Sequence, residues 1–292
     1  MIRKFLLFVL ALVLVACAWE LYKLVGPDNG GDILGWSIIP RTNDIAMPHV
    51  WDMGARLFED ESRTSDRPIW LVVLEAAWYS FRLAAAGFAI GSVVGIALAT
   101  VMARFNVVRR GLLPYLVVSQ TVPLIALTPA DDERGEGDQR GGRVSIGGWS
   151  WPRWLSVAVL GAFLAFFPVA VGTLRGLESA SSTALELMRS FAASGSQTLR
   201  KLRFPAAVPR MLPALRLAAT ASVIGVVVAE ISTGLRGGIG RLIIEYARQS
   251  TSDSAKLYPA LLGAAVLGLA LVGVVGAFEY GVNRQRPPVP SG

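Results

Sequence analysis

Long stretches without a single charge constrain this chain more than any other feature. Residues 83–103, 111–130, 155–174 and 257–278 contain no Asp, Glu, Lys or Arg. Each matches the roughly 20 apolar residues that a helix needs to cross a hydrocarbon core. A fifth stretch, 211–229, is broken only by Arg216, close enough to one end to snorkel. A sixth, 5–19, is shorter, but Leu21, Tyr22, Leu24 and Val25 extend it toward an interface. The expected fold is all-α, a polytopic integral membrane protein with six transmembrane helices. Composition agrees, because only 17% of the residues are charged, against about a quarter in soluble domains. The 30 glycines and 16 prolines fit helices that pack closely or end abruptly in a bilayer.

The net charge of +7 would suggest nucleic acid in a soluble domain. Here the basic residues sit in short segments between apolar runs, so topology accounts for them and the expected partner is the lipid bilayer, not nucleic acid. One cysteine, Cys17, excludes a disulfide framework, and one histidine, His49, argues against a metal site. An even number of spans puts both termini on one side. That side would carry Arg3, Lys4, Arg104, Arg109, Arg110, the basic residues of 175–210, Arg284 and Arg286. By the positive-inside bias it is cytoplasmic. Arg3, Lys4, an apolar core and Leu14-Val15-Ala16-Cys17 also resemble a lipoprotein signal with Cys17 lipidated. Five further spans make such an anchor redundant, and an uncleaved first span is expected.

Three polar segments separate the runs. Within residues 26–68, the stretch 47–59 (MPHVWDMGARLFE) repeats Val50, Trp51, Gly54, Leu57 and Phe58 at helical spacing. It predicts a short amphipathic helix on the outer side, with His49 capping it or facing solvent. Residues 131–148 (DDERGEGDQRGGRVSIGG) are too charged and glycine-rich for lipid and predict a flexible outer loop.

The segment 175–209 is the most informative. Residues 183–203 (TALELMRSFAASGSQTLRKLR) predict one helix starting at Ser182 or Thr183, with Glu186 placed for a capping box and Pro205 and Pro209 as stops. Its middle is small: Ala192, Ala193, Ser194, Gly195 and Ser196. Such a centre lets another surface approach the backbone closely, while Arg200, Lys201 and Arg203 also suit a loop helix resting on headgroups. The residues alone leave those two readings even.

This segment resembles the cytoplasmic coupling loop, or EAA loop, of permease subunits in bacterial ABC importers. The family pattern places a Glu before two small residues, a Gly six positions later and a Leu-Pro near the end. Here those positions hold Glu186 followed by Leu187 and Met188, Ala192, and Phe204-Pro205. Arg189, Ala193-Ser194, Gln197, Arg200-Lys201, Leu215-Arg216-Leu217-Ala218 and 226–230 (VVVAE) are similar to the branch handling nitrate, sulfonates, taurine and related solutes. Ser80 to Arg82, Gln120-Thr121-Val122-Pro123 and Phe166-Phe167-Pro168 fit that branch too. The replacement of glycine by Ala192 predicts a stiffer helix, and the charges at 131–134 depart from the family's apolar continuation.

The resemblance implies a type I ABC importer permease fold. It divides the chain into a first transmembrane helix (1–25), an outer polar segment (26–70), a five-helix core (71–282) with the loop 175–209, and a cytoplasmic tail (283–292). It also implies a multi-pass location in the bacterial inner membrane. The implied partners are an ABC ATPase dimer, a second permease (the same or different), and an extracytoplasmic solute-binding protein. No G-x-x-x-x-G-K-[ST] phosphate loop occurs; Gly234, Gly237, Gly238 and Gly240 lack the following Lys-Ser/Thr pair. No cofactor is therefore expected on this chain, with ATP and Mg on the partner ATPase, and the chain is a transport subunit, not an enzyme. Glu186, Arg189, Ala192, Ala193, Ser194, Gly195 and Pro205 are implied to couple to the ATPase. Gln120, Thr121, Glu230, Ser232 and Thr233 are candidates for the translocation path, against ordinary helix-to-helix hydrogen bonding. Arg82 would attract an anion or snorkel. A secondary transporter or a membrane scaffold without an ATPase is the alternative; it would account for the spans but not for the loop.

Overall fold

The computed structural model describes residues 2–28, 30–33, 36–39, 41–62, 65–121, 143–146 and 149–284. Ten α-helices occur among them: α1 Ile2–Val25, α2 Val50–Arg56, α3 Ile69–Arg104, α4 Asn106–Ser119, α5 Arg153–Leu177, α6 Ser182–Ser190, α7 Gly195–Thr198, α8 Phe204–Thr233, α9 Ile239–Gln249 and α10 Leu257–Arg284. Three short antiparallel hairpins interrupt them, pairing β1 Gly31–Ile33 with β2 Trp36–Ile39, β3 Asp60–Ser62 with β4 Ser65–Pro68, and β5 Arg143–Ile146 with β6 Trp149–Pro152.

Among the described residues, four helical stretches are long and apolar enough to cross a membrane: Ile69–Arg104, Arg153–Leu177, Gly195–Thr233 and Ser254–Val282. They contain the expected runs at 83–103, 155–174, 211–229 and 257–278. The first and third start well before the runs themselves, because helix propensity and packing continue where hydropathy weakens. Of the expected run 111–130, α4 covers the beginning, and residues 122–130 lie outside the described ones. So do residues 131–142, 147 and 148 of the expected outer loop. Its residues Arg143–Ile146 are a strand paired with Trp149–Pro152, not loop.

The chain forms two compact units, residues 1–76 with 242–263 and residues 77–241 with 264–292. In the first, the polar segment is knitted to the helices. Lys23 Nζ donates to Asp44 Oδ1 at 2.7 Å and to the Met47 carbonyl at 2.6 Å. That hydrogen bond, and then the ammonium charge, hold the Asp44 carboxyl below its ordinary range. Glu20 caps α2 from outside, accepting from the Val50 N–H at 2.8 Å and meeting His49 Nδ1 at 2.8 Å. His49 thus occupies the N-cap position without capping, and stacks on Trp51 at 4.3 Å between ring centroids. The expected helix at 47–59 is real but shorter, Val50–Arg56, with no buried residue. Arg56 Nε reaches Asp253 Oδ2 at 2.8 Å, and Lys256 Nζ reaches the Glu61 carbonyl at 2.7 Å.

The second unit is built on α5, whose two faces meet α3 and α8. Ala165 and Val169 on α5 pack with Ala218 on α8, and Phe88 and Ile96 on α3 close over them. Lower down, Ala99 and Met102 of α3, Leu116 of α4 and Leu174 of α5 form a second cluster. Small residues set how close the backbones come. A Cβ added at Gly87, Gly91 or Gly95 would stand 2.7 Å from the carbonyl oxygen of Ala158, Ala162 or Phe166 respectively. On the adjoining face, Gly225 of α8 would place a Cβ 3.0 Å from the Cα of Gly161. Arg216 Nε lies 2.6 Å from Glu279 Oε2 on α10, an ion pair without hydrogen-bond alignment.

Candidate functional site

The segment between α5 and α8 folds as two helices and a corner, not as one helix. Ser181 is the N-cap of α6, its side chain accepting from the Ala184 N–H at 3.3 Å. The helix therefore begins at Ser182, as expected, but with Ser181 as its cap Glu186 takes no part in a capping box. After Ser190 the chain closes a Schellman turn: the Ala192 N–H bonds to the Arg189 carbonyl at 2.8 Å and the Ala193 N–H to the Met188 carbonyl at 2.9 Å. This turn needs a left-handed residue, and Ala192 supplies it at φ +50. The alanine does not stiffen a continuous helix; it stands in a conformation that glycine adopts more cheaply, at a cost of about 1 kcal/mol. Ala192→Gly is accordingly expected to slow hydrogen exchange at the Ala192 and Ala193 amides about threefold, read by exchange mass spectrometry.

The capping box lies one turn further on. Ser194 Oγ accepts from the Gln197 N–H at 3.3 Å, and Gln197 Oε1 accepts from the Ser194 N–H at 2.8 Å. Helix α7 runs through a π turn, Leu199–Arg203, into α8. Pro205 and Pro209 do not stop it. Pro205 lies in the first turn of α8, and Pro209 and Pro213 lie inside it. Each lacks the N–H of a regular ladder, and a wider π turn immediately precedes the first of them.

The neck of this loop is fixed. A Cβ at Gly176 would meet the Ala207 carbonyl at 2.9 Å, and Ser179 Oγ donates to the Gly176 carbonyl at 2.7 Å. Arg109 on α4 forms an ion pair with Glu178. Beyond the neck, Ala184, Leu185 and Met188 turn partly inward, while Leu187 and Phe191 are 57% and 76% exposed. Glu186, Arg189, Ala192, Ser194, Gly195 and Pro205 are exposed as well, and Ala193 is half-buried. This chain thus leaves two large apolar side chains uncovered among small residues.

The polar residues near the membrane-length helices do not converge. Thr121 Oγ1, just past the end of α4, donates to the Val118 carbonyl, while Ser232 Oγ donates to the Val228 carbonyl and Thr233 Oγ1 to the Ala229 carbonyl within α8. Among the described residues, Gln120 Nε2 reaches its neighbour Ser119 Oγ at 3.5 Å. Glu230 is fully buried. Its Oε1 accepts from Ser80 Oγ at 2.6 Å and its Oε2 from the Gly240 N–H at 2.9 Å, while Ser80 Oγ accepts from the Ile239 N–H at 2.8 Å. Gly234 ends α8 at φ +65, and a side chain at Gly238 would overlap the Glu230 carboxylate. The glycines of 234–240 thus build a turn that brings the start of α9 onto a carboxylate. Glu230 fits the hydrogen-bonding alternative. Its partner Ser80 has no local signal beyond being a polar residue beside a long apolar run.

Ser80→Ala is expected to lower the melting temperature of the purified chain by several degrees, because it orphans a buried N–H and one carboxylate oxygen at a cost of about 1–3 kcal/mol. Ser92 Oγ on the same helix has no partner among the described residues, so Ser92→Ala should leave the melting temperature unchanged. Arg82 lies over the Tyr79 ring at 5.6 Å and lines a shallow cavity of about 300 Å³ with Leu83 and Trp154.

Residues 91–286 match the family of binding-protein-dependent transport system inner membrane components. The chain is similar to the formylaminopyrimidine transport permease protein ThiX of Halalkalibacterium halodurans, 34% identical over 154 residues that cover 53% of this chain and 55% of that protein. It is similar to the putative aliphatic sulfonates transport permease protein SsuC of Bacillus subtilis, 29% identical over 185 residues, 63% of this chain and 60% of that one. The riboflavin transport system permease protein RibX of Chloroflexus aurantiacus is 26% identical over 170 residues, 58% and 57% respectively. The chain spans a little over half the length of each of these relatives.

Proposed function

Because the chain belongs to the binding-protein-dependent transport inner membrane components, the permeases of ABC transporters, we propose that it forms the translocation path of an ATP-driven importer. It is a transport subunit, and ATP with Mg would be bound by a separate ATPase dimer. The observation that carries the reading is the loop: Leu187 and Phe191 stand in solvent beside Glu186, Arg189 and the small residues 192–196, on a neck fixed at Gly176 and Ala207. Residues 186–196 fill a groove on the ATPase, with Glu186 and Arg189 making polar contacts at its rim.

ATP-driven closure of the ATPase dimer moves these loops, and each fixed neck passes the motion into α5 and α8. Two permease bundles, from two copies of this chain or from this chain and a different one, then rock between inward and outward openings. ATP drives the change only to the extent that it binds one arrangement better than the other. The loop, both termini and the α3–α4 turn would face the cytoplasm, the side that the basic residues Arg104, Arg109 and Arg110 favour. The uncharged runs 5–19 and 111–130 of the sequence would supply the other two crossings.

An external binding protein delivers a small solute, of the nitrate, sulfonate or taurine kind or a related one; the relatives' named solutes, formylaminopyrimidine, sulfonates and riboflavin, share small size more than chemistry. Gln120 and Thr121 are the polar groups we assign to the path. Glu230 acts on it indirectly by holding α9, and Ser232 and Thr233 line its edge. Affinity isolation of the tagged chain from its native membrane should bring down an ATPase subunit and ATPase activity, both lost when residues 186–196 are replaced by a glycine-serine linker. An intact chain recovered alone, without hydrolysis, would contradict the reading and favour a secondary transporter or scaffold.

A further inference from the structure

Four arginines from four separate elements converge beside the loop. Arg104 ends α3, Arg109 lies in the first turn of α4, Arg189 in the last turn of α6, and Arg203 ends the π turn. With Glu178, Asn106 and Thr198 they line one open cleft of about 570 Å³. Glu178 is the acid among the lining residues, and it is engaged by Arg109. Arg203 Nη1 reaches the Ala103 carbonyl at 3.5 Å. Among the described residues no carboxylate pairs with Arg104 or Arg189; Arg104 rests over the Phe105 ring at 5.6 Å. The positive-inside bias places basic residues on one membrane face, but it does not draw them into a shared cleft, where they repel one another.

We propose that this cleft binds a phosphate-bearing anion, with Arg104 and Arg189 as its principal ligands. Guanidinium forks match tetrahedral oxyanions, and two of them meeting one anion remove the repulsion that their proximity creates. Arg104 closes a helix of membrane-crossing length, which sets the cleft at headgroup depth. The phosphate is supplied either by an anionic phospholipid or by inorganic phosphate. Once bound, it ties α6 to the α3–α4 turn and restrains the loop relative to the bundle. The inference concerns the chain alone, so failure to recover an ATPase would leave it standing.

The test uses the full-length chain purified in detergent, with thermal unfolding read against added phosphatidylglycerol, phosphatidylcholine, sodium phosphate, or sodium chloride at matched ionic strength. Native mass spectrometry of retained lipid supplies a second readout. Phosphatidylglycerol or phosphate should raise the unfolding temperature; a rise with the lipid alone assigns the headgroup, and a rise with inorganic phosphate assigns the free anion. Arg104→Gln and Arg189→Gln should each weaken the response about tenfold. Arg110→Gln, which removes the same charge outside the cleft, should weaken it less than about twofold. No rise beyond phosphatidylcholine and chloride, or equal losses from Arg104→Gln and Arg110→Gln, would overturn the proposal.

Discussion

Gly91→Leu is expected to lower the amount of monodisperse chain recovered from membranes about tenfold, read by size-exclusion chromatography in detergent. A Cβ at this position would stand 2.7 Å from the Ala162 carbonyl, 2.8 Å from the Ala165 Cβ and 3.1 Å from the Phe166 N. None of these is the movable end of a long side chain. Helix α3 would have to leave α5, breaking the same contact at Gly87 and Gly95 one turn either side. Overpacking of this kind costs about 3 kcal/mol or more when no neighbour can yield. Association in a bilayer has little hydrophobic drive to offset the loss. At Gly268 and Gly273 on α10 a Cβ would meet nothing within 4 Å, so Gly268→Leu should be recovered at wild-type levels. Equal recovery of the two variants would refute the close-packed account of α3 and α5.

Gly195→Arg is expected to separate hydrolysis from uptake. Gly195 is exposed at the start of α7, and a Cβ there would lie 3.5 Å from the Arg104 guanidinium carbon. An alanine fits that space at ordinary van der Waals distance. An arginine adds bulk to the surface proposed to enter the ATPase groove and sets a second cation against Arg104. In proteoliposomes containing the purified complex, uptake should fall more than about tenfold while the chain remains inserted and hydrolysis persists, a loss on the order of 1.4 kcal/mol of coupling or more. Gly195→Ala should stay within about twofold of wild type. Undiminished transport by Gly195→Arg would show that the loop is placed wrongly.

How much of this was legible in the residues differs by level. The membrane-length helices were, because charge exclusion from hydrocarbon acts on every residue of a run and needs no knowledge of its neighbours. Their ends were not: α3 begins at Ile69 and α8 at Phe204, outside the apolar runs, since a helix continues while its backbone bonds and packing hold. The loop was recognisable as a segment, yet its shape was not. Pro205 and Pro209 read as stops, but an N–H missing near the start of a helix can be absorbed by a π turn. Ala192 reads as a helix former, and the fold uses it in the one conformation where its Cβ is a burden.

Contacts far apart in sequence were hidden altogether. Ser80 and Glu230 are 150 positions apart, and nothing local to either names the other. The arginine cleft is similar: Arg104, Arg109 and Arg203 read as topology signals and Arg189 as a coupling residue, and only the fold brings them to one place. Gln120, Thr121, Ser232 and Thr233 show the reverse. Their polarity near the apolar runs marks them out, whereas their hydrogen bonds are made to residues one to four positions away.

The central claim is that the loop docks on an ATPase, and Phe191 is the place to test it. It is 76% exposed, so a photo-crosslinking phenylalanine analogue fits there without disturbing the core. Irradiation of cells carrying the analogue at Phe191 should capture a single protein partner whose sequence contains a phosphate loop. The same analogue at Phe278, exposed on α10, should capture none. Capture of lipid alone at Phe191, or of the same proteins at both positions, would contradict the account.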